Sequence, residues 1–430
     1  MSNKKIIFFE SVMHEQNSAS ITLINLFQKW DKNNLFFIAT EDEITKSRKY
    51  GFKNFYKLGK KEYVHAFPFN LFSKKDKHND NIKAQKSVLE SKIDVSSNKD
   101  KKSVLGLFKI FINRIIVFLN VDLIFHRCVL SQDLEKWILD IKPDYVYATL
   151  SSRYSILFML ELHRKTKTPI VVHILDDWPT TIYNKGIFKV FLKRLIDKEL
   201  IELLSIATIK IGISNQMAIE YKNRYGGDWH YFHNPVLMDE PKKRTLADIN
   251  QNSPLKIGYF GRIGTANKNT IDILIEVFDK SRSFPQLNFD IYSLEYSNTG
   301  RNTFYKPFIS QAEMKLVIRE YDFLILPISF LNDEALFAKY SMPTKLSDYM
   351  ASGVPIIMIA PDGIAISNFF KHNNCGFIIN SNDKDLIEKE LINIFELDKN
   401  SIINIINRAN EICYNNFSNH IVLDKFNKLF

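Results

Sequence analysis

The sequence predicts an α/β fold with two halves, each a parallel sheet flanked by helices. Short apolar runs typical of buried strands alternate with segments of helical periodicity, first over residues 4–213 and again from residue 255. Between them, residues 230–254 are polar and contain three prolines, a composition typical of a domain junction. We therefore expect two domains with a cleft between them, and such a cleft is a natural ligand site.

Composition narrows the possible classes of protein. The 430 residues favour two or three domains, and the 45% hydrophobic content is sufficient for buried cores. Three cysteines, Cys128, Cys375 and Cys413, lack metal-like spacing, which indicates a reducing compartment and no disulfide framework. We expect neither a signal segment nor a spanning helix, because no window of about 18 residues lacks charge. The net charge of +10 permits nucleic acid, anionic lipid or phosphorylated partners.

The first half begins with a strand, a helix and a second strand, the order that gives a parallel sheet. Its predicted strands are residues 4–10, 35–40, 144–150, 169–175 and 207–213, and its predicted helices are 21–30, 155–164 and 188–204. Residues 72–102 are rich in Lys, Asp, Ser and Asn, which predicts a mobile, solvated insertion. The apolar stretch 104–125 fits either an interfacial membrane helix or a core-facing helix.

The second half repeats the alternation and contains a distinctive loop before a helix. Its predicted strands are residues 256–261, 288–292, 323–326, 356–360 and 375–379, and its predicted helices are 270–279, 385–395 and the tail 402–430. In YSMPTKLSDYMASGVPI, Ser341 is a candidate helix cap and Pro343 suits a first helical turn. Gly353 and Pro355 then end the helix. Free amides at such a helix start attract phosphates, so we expect an anion site here.

Basic residues follow the first strand of the second half. The glycines in this segment are spaced G-x-x-G-x-x-G, which is not the dinucleotide fingerprint. Arg262 and Lys268 lie six residues apart at the end of the strand, and such a pair can neutralise a pyrophosphate. This segment alone leaves open the alternative that both are solvated surface residues.

Together these segments resemble the donor-binding half of a retaining glycosyltransferase of GT-B fold, family four. The similarity lies in IGYFGRIGTANKN, the helix after it and YSMPTKLSDYMASGVPII. The first half resembles the same family, in order, through DYVYATLSSRYS, PIVVHILDDWPTT, IKIGISNQMAIEYKNRYG and HNPV. The tail EICYNNFSNHIVLDKFNKLF resembles the helix that crosses back to the first domain. Only residues from about 50 to 120 lie outside the resemblance.

The resemblance implies a GT-B architecture of two Rossmann-like domains that face a central cleft. Residues 1–235 would form the acceptor-binding domain, with the polar insertion at about 72–102. Residues 254–410 would form the domain that binds the nucleotide-sugar donor, and residues 411–430 the helix that packs back on the first domain.

The resemblance also implies a UDP- or GDP-sugar as donor and a set of residues that bind it. Arg262 and Lys268 match the family's phosphate-binding pair and would also act catalytically, by stabilising charge on the leaving diphosphate. Asp348 stands where the family has a Glu that binds the ribose hydroxyls, although a solvated helix residue is the alternative. Tyr340 occupies the position of another family Glu, and Glu334 is out of register to replace it. The implied donor-binding residues are Gly261, Arg262, Lys268, Ser341, Met342, Thr344, Lys345 and Asp348.

In the first domain, the resemblance implies a polar cluster after the strand 169–175. Asp176 and Asp177 match a family pair, and either one as a catalytic residue would orient an acceptor hydroxyl or stabilise positive charge on the sugar ring. His173 and Trp178 are implied acceptor-binding neighbours. The alternatives are that an aspartate caps the following turn and that His173 is a core histidine.

The loop after the first strand is the second candidate for acceptor binding. It contains His14, Asn17 and Ser18, where relatives have a small-residue loop near the donor phosphates and the acceptor. A helix N-cap at Ser18 or Ser20 accounts for the same residues equally well.

No metal or other cofactor is expected. The D-x-D sequence at Asp383 begins a predicted helix, where carboxylates cap the helix and complement its dipole. Arg, Lys and helix amides suffice to neutralise the phosphates of a donor, and no nucleophile motif such as G-x-S-x-G is present.

The expected activity is that of a glycosyltransferase of hexosyltransferase type, which joins a sugar to an acceptor hydroxyl with retention. The Lys-rich insertion and the apolar stretch after it predict peripheral attachment to the cytoplasmic face of a bacterial membrane. There the acceptor would be a lipid-linked precursor of surface polysaccharide. The alternatives are an inactive binding protein on the same scaffold, favoured by Tyr340, and a nucleotide-sugar epimerase. No nucleic-acid module is recognisable, so nucleic acid is not an expected partner.

Overall fold

The computed structural model describes most of both predicted halves. The described residues are 3–11, 13–14, 18–65, 126–182, 188–241, 243, 245, 254–284, 286–294 and 300–430. The predicted insertion at 72–102, the apolar stretch 104–125 and Asn17 lie outside these ranges.

The first domain contains a parallel sheet covered by helices. Its strands within the described residues are β1 (Ile6–Phe9), β2 (Leu35–Ala39), β3 (Asn54–Lys57), β4 (Tyr63–His65), β5 (His126–Cys128), β6 (Tyr145–Thr149), β7 (Ile170–Ile174), β8 (Ile209–Gly212) and β9 (His230–Tyr231). Seven of them form the sheet in the order β3-β2-β1-β6-β7-β8-β9, while β4 and β5 form a separate antiparallel pair. Its helices are α1 (Ser18–Leu26), α2 (Glu41–Arg48), α3 (Gln132–Ile141), α4 (Arg153–Thr166), α5 (Trp178–Thr181), α6 (Lys189–Ile206) and α7 (Asn215–Tyr225).

The second domain is organised in the same way. Its described strands are β10 (Leu255–Phe260), β11 (Leu287–Ser293), β12 (Thr303–Pro307), β13 (Phe323–Pro327), β14 (Ile356–Ile359) and β15 (Phe377–Ile379). They form one parallel sheet in the order β12-β11-β10-β13-β14-β15. Its helices are α8 (Lys268–Lys280), α9 (Gln311–Val317), α10 (Asn332–Ala338), α11 (Lys345–Ser352), α12 (Ala365–Asn373), α13 (Lys384–Phe395) and α14 (Lys399–Phe417), after which α15 (Asn419–Asn427) ends the chain.

Both faces of the first sheet are covered, which is why its strands are nearly continuous apolar runs. Side chains alternate along β1, as the two-residue period of a strand requires. Ile7 and Phe9 face the core that contains buried residues of α4 and α6. Ile6 and Phe8 face the opposite core, which contains buried residues of α1 and α15. The strand pattern in the sequence therefore specifies two helical layers around one sheet.

The C-terminal segment crosses from the second domain to the first, as predicted. The Val236 amide donates to the Phe417 carbonyl at 2.8 Å, and the Asn419 amide donates to the Val236 carbonyl at 2.9 Å. Beyond this crossing, the Phe426 ring packs edge-on against Phe27, just after α1, with ring centroids 5.1 Å apart. These contacts confirm the predicted architecture of two α/β domains with a helix that returns to the first.

Polar contacts join the two domains beside the cleft. The fully buried Asn234 donates through Nδ2 to the Thr344 carbonyl at 3.2 Å and accepts from Asn25 of α1 at 2.8 Å. His233 Nε2 donates to the Pro343 carbonyl at 3.1 Å, and the Ser214 hydroxyl donates to the Tyr340 carbonyl at 2.6 Å. The first domain therefore holds the 340–345 loop of the second domain in place through its backbone.

A membrane-spanning helix is not among the elements that the structure describes. Within the described ranges, none of the helices combines the length and the apolar character needed to cross a bilayer.

Candidate active site

A cavity of about 290 Å³ lies between the two domains, at the carboxyl ends of the parallel strands. From the first domain it is lined by Ser18, Ala19, Ile21, Thr22, Leu175, Asp176 and Ile213. From the second it is lined mainly by the segment after β10, the segment after β12, and residues 341–345 with Asp348. Seven of the eight predicted donor-binding residues line it, namely Gly261, Arg262, Ser341, Met342, Thr344, Lys345 and Asp348.

 Thus the structure brings all of the predicted donor set together except Lys268.

The helix after the 340–345 loop begins later than the sequence predicts. We expected Ser341 to cap the helix and Pro343 to lie in its first turn, but α11 begins at Lys345 and Thr344 occupies the N-cap position. The reason is that the Ser341 hydroxyl donates to Asp176 Oδ1 across the cleft at 2.8 Å instead of capping α11. The predicted end of the helix is confirmed, because Gly353 has φ +76°, the left-handed conformation that glycine adopts readily.

Lys345 brings a positive charge to the wall of the cavity. Its Nζ lies 3.8 Å from the centroid of the Tyr259 ring, and it forms no ion pair with a described residue. Burial lowers the pKa of this amine to about 7. Gly261 leaves room for it, since a Cβ at that position would lie 2.8 Å from Nζ. A side chain at position 261 would therefore displace the lysine amine from this place.

Asp348 is a buried carboxylate with an oxygen available to a ligand. Its side chain is only 3% exposed, so the alternative of a solvated helix residue is wrong. Oδ2 accepts a hydrogen bond from Gln311 Nε2 at 3.0 Å, whereas Oδ1 accepts none from the described residues and lies 3.6 Å from Lys315 Nζ. Burial raises the pKa of this carboxyl. A ligand hydroxyl at Oδ1 would satisfy the unpaired acceptor.

The two predicted phosphate-binding residues after β10 are placed differently. Arg262 lines the cavity with an exposed side chain. Lys268 does not line it, because its Nζ pairs with Asp272 one helical turn away, at 2.7 Å, on the exposed face of α8. Asn267 lines the cavity instead, and its Nδ2 donates to the Tyr259 hydroxyl at 2.7 Å. Asn267 was missed in the sequence, where the only signal is its position just before a helix.

The adjacent aspartates after β7 have separate environments. Asp176 lines the cavity and accepts the Ser341 hydrogen bond. Burial raises the pKa of its carboxyl to about 6. Asp177 is 1% exposed, and its carboxylate accepts hydrogen bonds from Tyr221, Thr180 and Arg224 at 2.8–3.1 Å. Asp177 does not line the cavity, so its contacts account for a structural role in the wall of the first domain.

We expect Asp177→Asn to destabilise the protein rather than to remove its chemistry. The change removes the buried carboxylate that pairs with the partly buried Arg224 guanidinium and leaves it with the more exposed Glu220, which costs about 3 kcal/mol of unfolding free energy. Urea denaturation of the two proteins measures this loss. Glu220→Gln is the control, because Glu220 pairs with the same Arg224 from a more exposed position and should cost less than about 1 kcal/mol. Equal stability of Asp177→Asn and wild type would contradict the assignment.

The predicted acceptor residues are only partly brought to the cavity. Ser18 lines it, and the Ser18 carbonyl accepts a hydrogen bond from Thr344 Oγ1 at 3.3 Å. His173 is fully buried, and its Nδ1 shares a 2.6 Å hydrogen bond with the Tyr147 hydroxyl. Burial also lowers the pKa of His173 to about 3, so this residue fits the alternative of a core histidine. Trp178 is buried in the core of the first domain, and neither it nor His14 lines the cavity.

Tyr340 stands where the resemblance implies a Glu, and it contacts basic side chains. The Tyr340 ring lies against two cations, with Arg224 at 5.4 Å and Lys339 at 5.1 Å from its centroid. Glu334 accepts a hydrogen bond from the buried Ser329 hydroxyl and does not line the cavity. Among the cavity residues, Asp176 and Asp348 are the carboxylates.

Apolar and aromatic side chains also line the cavity. They include Tyr292, Phe308, Ile309 and Met314. The Tyr292 ring stacks on Phe260 with centroids 4.6 Å apart and planes 11° apart, which fixes its orientation. These residues were not predicted as ligands. The cavity lining therefore combines apolar surface with the charged side chains of Lys345 and Asp348.

A metal site is not found in the part of the chain that the structure describes. No group of three or more His, Cys, Asp or Glu side chains there could hold an ion. In the D-x-D sequence, Asp383 Oδ1 accepts from the Leu386 amide at 2.9 Å and caps α13, as expected.

The second domain matches a known family of protein domains. Residues 286–423 match the family model described as glucosyltransferase 3-like, C-terminal domain. The matched segment includes the 340–345 loop and α11 with Lys345 and Asp348. No curated protein matches the sequence.

Solved glycosyltransferase structures resemble the whole chain. Anabaena HepE in complex with UDP-glucose is similar with a TM-score of 0.60 and 11% identity, over 99% of each chain. The chain has the GT-B fold. A glycosyltransferase from Rickettsia africae has a TM-score of 0.56 and 12% identity, over 100% of this chain and 99% of its own. Sucrose-phosphate synthase from Thermosynechococcus elongatus has a TM-score of 0.57 and 9% identity, over 99% of this chain and 98% of its own. In this GT-B fold, the cavity occupies the cleft between the two sheets.

Proposed function

We propose that the chain is a glycosyltransferase that moves a hexosyl group from a UDP- or GDP-sugar to an acceptor hydroxyl, with retention of the anomeric configuration. The observation that carries the proposal is a pair of charged side chains that line the cavity from one short helix. Among the described residues, Lys345 forms no ion pair, and Oδ1 of the buried Asp348 accepts no hydrogen bond. A nucleotide-diphosphate sugar carries both the anionic groups and the hydroxyls that these side chains lack.

Each part of the donor has a complementary part of the cavity. Lys345, Arg262 and the first amides of α11 would hold the diphosphate, and Asp348 Oδ1 would accept from a ribose hydroxyl. The base would lie against the apolar part of the lining, on Tyr292. The UDP-glucose complex of Anabaena HepE, which has the same fold, supports a uridine nucleotide.

The charges in the cavity favour departure of the diphosphate. Negative charge grows on the diphosphate as the sugar–oxygen bond breaks, and fixed positive groups at that position lower the barrier. Lys345 and Arg262 supply these groups without a metal ion. On the opposite wall, Asp176 would be ionised at neutral pH and would orient the acceptor hydroxyl or stabilise positive charge on the sugar. A retained product would show that the incoming hydroxyl and the diphosphate use the same face of the sugar.

The acceptor that we propose is a lipid-linked glycan precursor of bacterial surface polysaccharide. The enzyme would bind peripherally to the cytoplasmic face of the membrane, for which the net charge of +10 provides attraction to anionic lipid. An inactive binding protein on the same scaffold is the second candidate, favoured by Tyr340 at the position of the family Glu. An epimerase of this fold would release a free or altered sugar rather than join it to an acceptor.

A panel of UDP- and GDP-sugars tests the donor site by thermal shift. A ligand that binds only the folded protein stabilises it by about 2.7 kcal/mol at 100 times its Kd. We expect one donor to raise the melting temperature of the wild type, and Asp348→Ala to lose most of this shift because the ribose contact is gone. Lys268→Ala should keep the shift, since Lys268 pairs with Asp272 outside the cavity.

The outcomes separate the candidate functions. If no nucleotide sugar or nucleotide raises the melting temperature of the wild type, the assignment of the donor site is wrong. A shift without transfer to any glycan acceptor favours the inactive scaffold, and an altered free sugar favours the epimerase. If Lys268→Ala loses the shift, Lys268 binds the diphosphate as the family resemblance implies.

A further inference from the structure

The outward face of α6 carries large apolar side chains that are exposed to solvent. On its inner face, Leu192, Ile196 and Leu200 are buried and hold the helix against the first sheet. The opposite face shows no such packing. Its exposed apolar residues are Val190 (57% exposed), Phe191 (64%) and Ile201 (49%). Phe188, just before the helix, is 46% exposed.

Basic residues alternate with these apolar side chains. Arg194 and Lys198 lie between Phe191 and Ile201, and Lys189 lies in the first turn. Residues 190, 191, 194, 198 and 201 fall within an arc of about 100° at 3.6 residues per turn, opposite the buried face. Lys189, Arg194 and Lys198 form no ion pair with any residue that the structure describes. We call these exposed residues of positions 188–201 the α6 patch.

The α6 patch begins at the edge of the sheet that forms the cleft. Asp176 follows the carboxyl end of β7, and α5 comes directly after it. Because β7 and β8 are parallel, α6 must run antiparallel to them in order to return the chain to the start of β8. The first turn of α6, with Val190 and Phe191, therefore lies at the same edge of the sheet as Asp176.

We propose that the α6 patch binds the surface of an anionic lipid bilayer. Its apolar side chains would enter the interface between headgroups and acyl chains, and its cations would contact the anionic headgroups. This inference goes beyond the sugar-transfer chemistry and rests on the proposed function only in that a lipid-linked acceptor would reach Asp176 from this edge.

The charge pattern favours lipid over a second copy of the chain. In a symmetric dimer through this face, the same surface would meet itself, and Arg194 and Lys198 would approach their own counterparts. Like charges at such close range oppose association, and lysine is depleted in protein interfaces. An anionic headgroup layer complements the same cations, and it accepts scattered apolar side chains without requiring a matched pocket.

Flotation of the full-length protein with vesicles tests the inference, without any nucleotide sugar present. We expect the wild type to float with vesicles of phosphatidylcholine and phosphatidylglycerol at low ionic strength, less at high salt, and hardly at all with phosphatidylcholine alone. Val190→Ser/Phe191→Ser and Arg194→Glu/Lys198→Glu should each lower the partition coefficient by about tenfold or more.

A matched control lies on the second domain. Leu386→Ser/Lys389→Glu replaces an exposed apolar residue and an exposed cation on α13, so it should float like the wild type. The melting temperatures of all variants and their shifts with the donor should equal those of the wild type, because the α6 patch takes no part in either core or cavity.

Several results would overturn the inference. The first is that both α6 variants float as well as the wild type. The second is that the wild type fails to float with anionic vesicles at low salt. The third is that the wild type is a dimer in solution and the α6 variants are not. Each of these leaves the donor-induced thermal shift unaffected. Conversely, vesicle binding without any response to nucleotide sugars would support the α6 patch and refute the proposed function.

Discussion

Lys345→Met is expected to lower kcat/KM for the nucleotide sugar by about 100- to 1000-fold, the usual effect of removing one group that stabilises transition-state charge. Methionine keeps most of the length and the apolar character of the side-chain stem, but it removes the positive charge from the cavity. Steady-state kinetics over a range of donor concentrations measures the effect. Lys268→Met removes a charge of the same kind from the surface of α8, and it should change kcat/KM less than about twofold.

The low pKa of Lys345 also predicts how donor affinity depends on pH. With a pKa of about 7 in the free protein, the amine is charged below pH 7 and mostly neutral above it. Since the diphosphate binds the charged form, donor binding above pH 7 requires uptake of a proton, and affinity should fall by up to about tenfold per pH unit. Lys345→Met should lack this decline. A wild-type affinity that stays constant well above pH 7 would show that the amine is not part of the donor site.

Asp176→Asn is expected to lower kcat by about 100-fold or more while donor affinity stays within about threefold, as befits a group that acts on the acceptor side. Asparagine preserves the shape and can still accept the Ser341 hydrogen bond, so only the negative charge is lost. Separate measurement of kcat and of donor Kd tests this. The outcome that would exclude the role is an unchanged kcat, or equal losses in kcat for Asp176→Asn and a folded Asp177→Asn.

The raised pKa of Asp176 also predicts how kcat depends on pH under acidic conditions. Burial raises the pKa of Asp176 to about 6, so the carboxylate is ionised above pH 6 and becomes protonated below it. Because the ionised form is the active one, kcat should decline as the pH falls through 6. Lys345 sets the decline in donor affinity above pH 7, so kcat/KM should be greatest between these two values.

The architecture was predictable from the sequence because its central strands carry their own signal. Apolar runs bounded by turn residues marked five of the seven strands in the first sheet and five of the six in the second, and Gly353 marked the end of α11. The strands β3, β9 and β12 were missed, because they are short or partly exposed and lack such runs. The start of α11 was not predictable. Serine is a common helix cap, but the Ser341 hydroxyl donates its hydrogen bond to Asp176, which lies 165 residues earlier in the chain.

The assignment of the adjacent aspartates could not be made from the sequence for a similar reason. Both follow the same strand, and only the structure shows that Asp177 is held by Arg224, 47 residues later, while Asp176 faces the cavity. Lys268 likewise looks like a phosphate ligand by position, but its partner Asp272 is one turn along the same helix. Local patterns identify residue types near a site, whereas long-range contacts decide which of them enter it.

The crossing at Val236 and Ser418 has a mechanical consequence. The chain leaves the first domain and returns to it at two neighbouring points, which the backbone hydrogen bonds of Val236 join side by side. Two adjacent connections define an axis, and we expect any rotation of one domain relative to the other to take place about it. Asn234 lies next to this axis, so rotation would displace its contacts little, whereas the hydrogen bond between Ser341 and Asp176 would lengthen with distance from the axis. We therefore expect the double crossing to be the hinge about which the cleft opens and closes.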